Sequence, residues 1–167
     1  MAEEASEFVE LYLAHGDEWE RALYEAVGRV AIAGAAVEGA LFSLAMQLAP
    51  TDELYGARIT DLLSTIQSNV PALSPSHQQR CRDLLSDARQ GLKQRNVVVH
   101  LTWHAIPLHE DRHLGVGTRR APDGEGLIAD LRSADEMSRL GGALHDVALG
   151  ITEFQRVIAN PQEDPAE

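Results

Sequence analysis

Leu92-Lys93-Gln94-Arg95-Asn96-Val97-Val98-Val99-His100-Leu101-Thr102-Trp103-His104-Ala105 is the stretch where the chain changes its period. Upstream, Cys81, Leu85, Ala88, Leu92 and Val99 recur at spacings of 4, 3, 4 and 7, the repeat of one helix face. The missing member of that stripe falls at 95 or 96, where the chain has Arg95 and Asn96. A polar group at a core-facing position needs a partner or a purpose. Downstream, Leu101, Trp103 and Ala105 alternate with Thr102, His104 and Ile106, the repeat of a strand. Helix therefore gives way to sheet near Leu101.

Working outward, Ser74 followed by Pro75 marks the start of the helix that ends in this stretch. Thr51 with Asp52 and Glu53 predicts an earlier helix reaching about residue 68. Asp17, with Glu20 three residues on, reads as a capping box opening a long first helix. That helix is expected to run to about Leu48 and to be stopped by Pro50. On the other side, Leu114, Val116 and Thr118, and then Leu127, Ala129 and Leu131, repeat the strand alternation. Turn residues lie between them at Glu110-Asp111 and at Pro122-Asp123-Gly124, which predicts an antiparallel meander with Pro107 on an edge strand. Ser133 and Glu136 form a second capping box. The final helix carries Met137, Leu140, Leu144, Val147, Ile151, Phe154 and Ile158 on one face. The predicted fold class is mainly α: an antiparallel helical bundle with a small antiparallel β-meander, about 101–131, inserted before the last helix. Residues 1–159 read as one domain, and 160–167 as a flexible acidic tail.

The chain has 167 residues, 44% of them apolar, which is enough for one sizeable core and excludes whole-chain disorder. Its single cysteine, Cys81, excludes an internal disulfide or a thiolate cluster. The first residues, Met-Ala-Glu-Glu, are acidic and lack the basic and apolar regions of a secretory signal, so a cytoplasmic location is expected. Val30 to Ala49 carries one charge, Glu38. A carboxylate in the middle of that segment would be costly in lipid, and a helix buried in a protein or dimer core is the better reading.

The net charge of −12 argues against a general polyanion binder. The charge is uneven, however. Residues 80–120 hold eight bases (Arg80, Arg82, Arg89, Lys93, Arg95, Arg112, Arg119 and Arg120) against four acids, and four of the seven histidines. This quarter of the chain is +4 while the remainder is −16. The pattern reads either as a solvated face or as a local anion site on an acidic protein.

Arg95, Asn96 and His100 bring a guanidinium, an amide and an imidazole into one and a half helical turns, with Asn96 and His100 four apart on one face. Such a trio suits phosphodiester chemistry. A guanidinium presents a planar fork of donors to phosphate oxygens. An imidazole gives and takes protons near neutral pH. An amide orients a neighbour or donates to an oxygen.

Arg-Asn-x-x-x-His near a helix end resembles the R-x4-to-6-H motif of HEPN domains, helical bundles found in prokaryotic toxins, abortive-infection and other defence systems. The long helix with its embedded Glu38, Trp103 shortly after His100, the β-insertion and the last amphipathic helix fit the same resemblance, over roughly Asp17 to Ala159. It implies a metal-independent endoribonuclease without a cofactor, of toxin–antitoxin or antiviral-defence type, acting on an RNA substrate. Catalysis is implied to rest on Arg95, Asn96 and His100, with Glu38 and Trp103 in support. His100 would be the general acid/base, Arg95 the phosphate ligand and Asn96 the group orienting His100, while Glu38 would pair with Arg95 or His100. The resemblance also implies a homodimer with facing motifs, and an antitoxin or other defence protein as partner. One subfamily continues Arg-x4-His-x-Tyr, and its tyrosine is modified by a partner nucleotidyltransferase. Here the residue is Thr102, so that mode of neutralisation is not expected.

Two other readings stand beside this one. His100 with His104, and His109 with His113, have helical metal-ligand spacing, but the strand pattern from Leu101 spoils the first pair and a turn splits the second. The other is a non-catalytic HEPN-like dimerisation or interaction module in a defence or regulatory system, favoured by the acidic charge and the apolar long helix. A His100 sealed inside the protein would favour that module.

Overall fold

A computed structural model describes the backbone of residues 2–109, 111–121 and 124–160, and side chains over 14–104, 111–118 and 126–160. Over the described residues the protein is mainly helical, with four α-helices and a three-stranded antiparallel sheet before the last of them, as the sequence pattern indicates. The expected tail after Asn160 and the turn residues Glu110, Pro122 and Asp123 lie outside the described residues.

Helix α1 spans Ala2–Leu48, so Asp17 lies inside it and does not open it. Residues 2–14 are rich in Ala, Glu and Leu and contain neither Gly nor Pro. Such a segment sustains helix, and a capping pair inside it has no free helix end to satisfy. The helix closes with the Ala49 N–H donating to the Ala45 carbonyl at 2.8 Å, just before Pro50. The helix expected from Thr51 is also different. Thr51 caps only a single 3-10 turn, Asp52–Leu54, its hydroxyl accepting from the Glu53 N–H at 3.4 Å. Gly56 then adopts a φ of 76°, in the left-handed region, which ends the turn. Helix α2 begins afresh at Ile59 and runs to Asn69, with the Asp61 carboxylate accepting from the Arg58 N–H at 3.3 Å.

Helix α3, Pro75–His100, starts as expected, with the Ser74 hydroxyl accepting from the His77 N–H at 3.4 Å. Its buried stripe is Cys81, Leu85, Ala88, Leu92 and Val98. Val99, expected in that stripe, is only half-buried. Arg95, also half-buried, fills the gap between Leu92 and Val98. Burial pushes the Cys81 thiol pKa up, against a smaller lowering by Arg82, so it is a packing residue and not a nucleophile.

Strands β1 (Thr102–His109), β2 (Arg112–Ala121) and β3 (Gly124–Ser133) pair in that order. β1 is an edge strand, and its register with β2 is irregular on both sides of Pro107, where a missing N–H is tolerated. β2 and β3 pair without a break from Arg112 opposite Ser133 to Ala121 opposite Gly124. Their buried side is not the leucine side. His113 and Gly115 are buried, whereas Leu127 on the other side is 76% exposed. Gly115 lies opposite Trp103, and a Cβ there would meet Leu101 and the indole ring at 2.9 Å. Gly115→Ala is therefore expected to cost about 1–3 kcal/mol by overpacking. Gly126→Ala, with nothing within 4 Å of its Cβ, should cost far less. Urea midpoints of the two variants check this, and equal midpoints would contradict it.

Helix α4, Ala134–Ala159, begins with the capping box read from sequence. The Ser133 hydroxyl accepts from the Glu136 N–H at 3.1 Å and the Glu136 carboxylate accepts from the Ser133 N–H at 2.9 Å. Arg112 adds an ion pair to Glu136 at 3.0 Å, tying β2 to the start of α4.

The chain divides into two compact units. The first comprises Met1–Ala31 and Gln94–Gly141. Its core is Leu23, Ala26 and Val30 of α1, Val98, Leu101, and Met137 and Leu140 of α4. Gly141 permits a close approach there, since a Cβ would lie 3.3 Å from Arg29. The second comprises Ile32–Lys93 and Gly142–Glu167, with Leu41, Leu44, Ile66, Leu85, Leu144, Ile151 and Phe154 among its buried residues. By length and hydropathy Ala14–Leu48 could cross a membrane. Its apolar positions contribute to the core of each unit, Val30 in one and Val37, Leu41 and Leu44 in the other.

Candidate active site at the end of helix α3

The candidate residues Arg95, Asn96 and His100 lie in the last two turns of α3, within the first unit. Helical geometry separates their roles. Arg95 continues the core-facing stripe, so its aliphatic stem is half-buried and its Nε is shut away from solvent. Asn96, one residue on, is turned about 100° further round the helix and is exposed, as is His100. The Arg95 guanidinium reaches back to this exposed face, with Nη1 donating to Asn96 Oδ1 at 2.9 Å. A guanidinium has only donors, so the amide atom that meets it must be the oxygen. This leaves the Asn96 NH2 free to donate outward.

The arrangement differs in one respect from what the resemblance implies. Asn96 holds Arg95, and no hydrogen bond joins Asn96 to His100 among the described residues. Glu38 belongs to the other compact unit, where it is half-buried on α1.

Trp103 stands where the helix meets the sheet. Its indole N–H donates to the Val98 carbonyl at 2.7 Å. Val98 lies among the last residues of α3, whose carbonyls have no partner further along the helix. The indole supplies that partner, and its ring lies over Gly115 of β2. Trp103 thus pins the end of the helix, and with it His100, to the sheet. The Val98 carbonyl gives no mark in the sequence, so this bond was not legible there.

The chain matches no family model, and no curated protein or solved structure was found to be similar to it. The site is therefore read from its own chemistry.

The remaining histidines fall elsewhere. His104 is exposed on β1, and its backbone carbonyl lies 3.1 Å from His113 Nδ1. A carbonyl only accepts, so that nitrogen carries the proton. His113 is 3% exposed and reads as a structural histidine satisfied by the sheet. The His109 side chain lies outside the described ones. Among the described residues, no three of His, Cys, Asp and Glu converge as a metal-binding group. The polar groove lined by Gln94, Asp130, Leu131, Arg132, Glu136 and Arg139 is already internally paired, with Arg132 Nε on the Asp130 carboxylate at 2.6 Å.

Proposed function

We propose that the protein is a metal-independent endoribonuclease of the toxin or defence type, resembling HEPN domains, that works in the cytoplasm as a homodimer. The observation that carries this reading is that His100 and Asn96 stand exposed on one face of α3, with the Arg95 guanidinium drawn to that face by a 2.9 Å hydrogen bond. A sealed His100 would have favoured the interaction module instead.

The chemistry uses each group for what it does best. An imidazole accepts the proton of a ribose 2′-OH as the 2′-oxygen bonds to the adjacent phosphorus. The bond from phosphorus to the 5′-oxygen breaks, and an imidazolium returns a proton to that leaving oxygen. The products are a 2′,3′-cyclic phosphate and a 5′-hydroxyl. Two motifs facing one another across a two-fold cleft supply one imidazole for each proton. Arg95 holds the non-bridging phosphate oxygens as charge builds on them. Asn96 keeps the guanidinium aimed and offers its NH2 as a further donor.

The second unit supplies uncovered apolar surface of the kind pairing would use. Ile32 is 75% exposed and Leu149 54% exposed, and Ala36, Gly39 and Ser43 of α1 line a shallow groove with Leu149. An uncharged contact adds no like-charge pair to the repulsion between two chains of −12. The expected mass in solution is about twice the 18.2 kDa of one chain, read by light scattering at micromolar concentration. A mass of one chain would remove the paired-site form of the mechanism.

The deciding experiment is cleavage of a labelled RNA in EDTA. Cutting should persist, leave the cyclic phosphate, and stop when the cleaved nucleotide carries a single 2′-deoxy substitution. A strict magnesium requirement, or cleavage of the deoxy substrate, would sink the proposal.

A further inference from the structure

The sequence singled out a +4 quarter of an acidic chain, and the trio of Arg95, Asn96 and His100 uses only part of it. Much of the rest is ordered along α3. Arg82, Ser86, Arg89 and Lys93 follow one another at spacings of 4, 3 and 4, the repeat of a single helix face, and all four are exposed. No acid occupies any of the four positions. From Arg82 to Lys93 the helix rises about 16 Å at about 1.5 Å per residue.

The three cations are available for a ligand. Arg82 donates to the neutral Gln78 amide at 3.1 Å and Arg89 to the neutral Gln67 amide at 2.5 Å. Among the described residues, none of Arg82, Arg89 and Lys93 is ion-paired with a carboxylate. The nearest acids in sequence, Asp83 and Asp87, fall on the adjoining face, and Asp83 is engaged by the Gln79 amide at 2.8 Å. Neutral amide partners hold these guanidinium groups in place without discharging them, so their positive charge remains for an anion.

We infer that this ridge of α3, within the second unit, is a track for the phosphate backbone of single-stranded RNA. The inference rests on the nuclease reading and adds how the substrate is held. A row of charges several turns long fits a polyanion and not an isolated phosphate. The row makes no base-reading pattern of paired amides and carboxylates, so binding is sequence-tolerant. The strand is single because attack by a 2′-OH in line with the leaving oxygen requires a nucleotide released from A-form geometry. The track also accounts for how a protein of −12 takes a polyanion at all: the attraction is local, and the surplus acids lie outside the ridge.

The test separates the track from the chemistry by measuring binding and cutting independently. A fluorescent single-stranded 15-mer with 2′-O-methyl groups throughout binds without being cut. The full chain should bind it with a slope of log affinity against log salt near −2, about 0.7 for each of three phosphates. That slope corresponds to a loss of about 20-fold between 50 and 200 mM salt. The triple variant Arg82→Gln, Arg89→Gln, Lys93→Gln should lose roughly tenfold or more in affinity at 50 mM salt and most of the slope. Because all three side chains are exposed, it should melt with the parent. Arg21→Gln, an exposed base on α1, should change neither affinity nor slope. A perfect duplex of the same sequence should bind more weakly than the single strand.

If the parent binds with this slope and the triple variant does not, the track stands even should no RNA be cut, and the nuclease reading fails alone. If RNA is cut and the triple variant keeps both affinity and KM, the track is overturned and the nuclease reading survives. Equal loss in Arg21→Gln and in the triple variant would reduce the effect to net charge and overturn the track.

Discussion

His100→Ala should lower single-turnover RNA cleavage by about 10²–10⁴-fold, the usual worth of a general acid/base, while RNA affinity stays within about twofold of the parent. The side chain is exposed and makes no side-chain hydrogen bond among the described residues, so its loss should change stability by less than about 0.5 kcal/mol. Arg95 should behave differently because its stem lies in the core-facing stripe. Arg95→Ala should weaken binding and rate together, and cost some stability through lost packing. Arg95→Lys should restore packing but little activity, since an ammonium lacks the two-pronged fork that holds both Asn96 Oδ1 and a phosphate oxygen. Thermal melts, RNA affinity and cleavage measured on the same three variants give the answer. Were both alanine variants to melt far below a parent that cuts nothing, the trio would be structural and the interaction module would be the correct reading.

The largest loss of stability should come from the second unit. Phe154 of α4 is 0% exposed. The His77 ring meets it edge-on, with centroids 6.0 Å apart at 87°, and the Arg80 guanidinium carbon lies 5.9 Å from its centroid. Phe154→Ala removes a full aromatic side chain from the core of the second unit. A cost of about 3–5 kcal/mol is expected. That should lower the melting temperature by roughly 10 °C or more for a chain of this size. Phe154→Leu keeps most of the apolar volume and should lose less than half as much. A calorimetric melt of the two variants decides it, and equal small losses would mean that the unit repacks freely.

Much of the fold was legible because short-range chemistry sets it. Ser74-Pro75 and Ser133 with Glu136 each place a helix start by satisfying donors within three residues, and both starts stand where the sequence puts them. The same logic misled at Asp17, because a capping pair matters only where a helix end exists, and the Ala- and Glu-rich segment before it is itself helical. It misled at Thr51 as well, since a cap nucleates a turn but Gly56 at φ 76° decides whether the turn continues. The candidate trio was visible as a polar interruption of an apolar stripe. The bond from Arg95 to Asn96 was not, because side-chain direction is settled by what surrounds the helix.

By itself the sequence determined the element types, their order, the place where period 3.6 becomes period 2, and the local sign of charge along α3, all of which depend on neighbours a few residues apart. Only the tertiary structure decided which side of the sheet is core. Strand alternation defines two faces without ranking them. The sheet buries the face of Gly115, where Leu101 and Trp103 fill the space that a missing side chain leaves, and of His113, held by the His104 carbonyl, while Leu127 on the other face is exposed. The end of α3 was decided in the same way. Val98 is buried and its carbonyl takes the Trp103 indole N–H, a contact across five residues and a change of secondary structure.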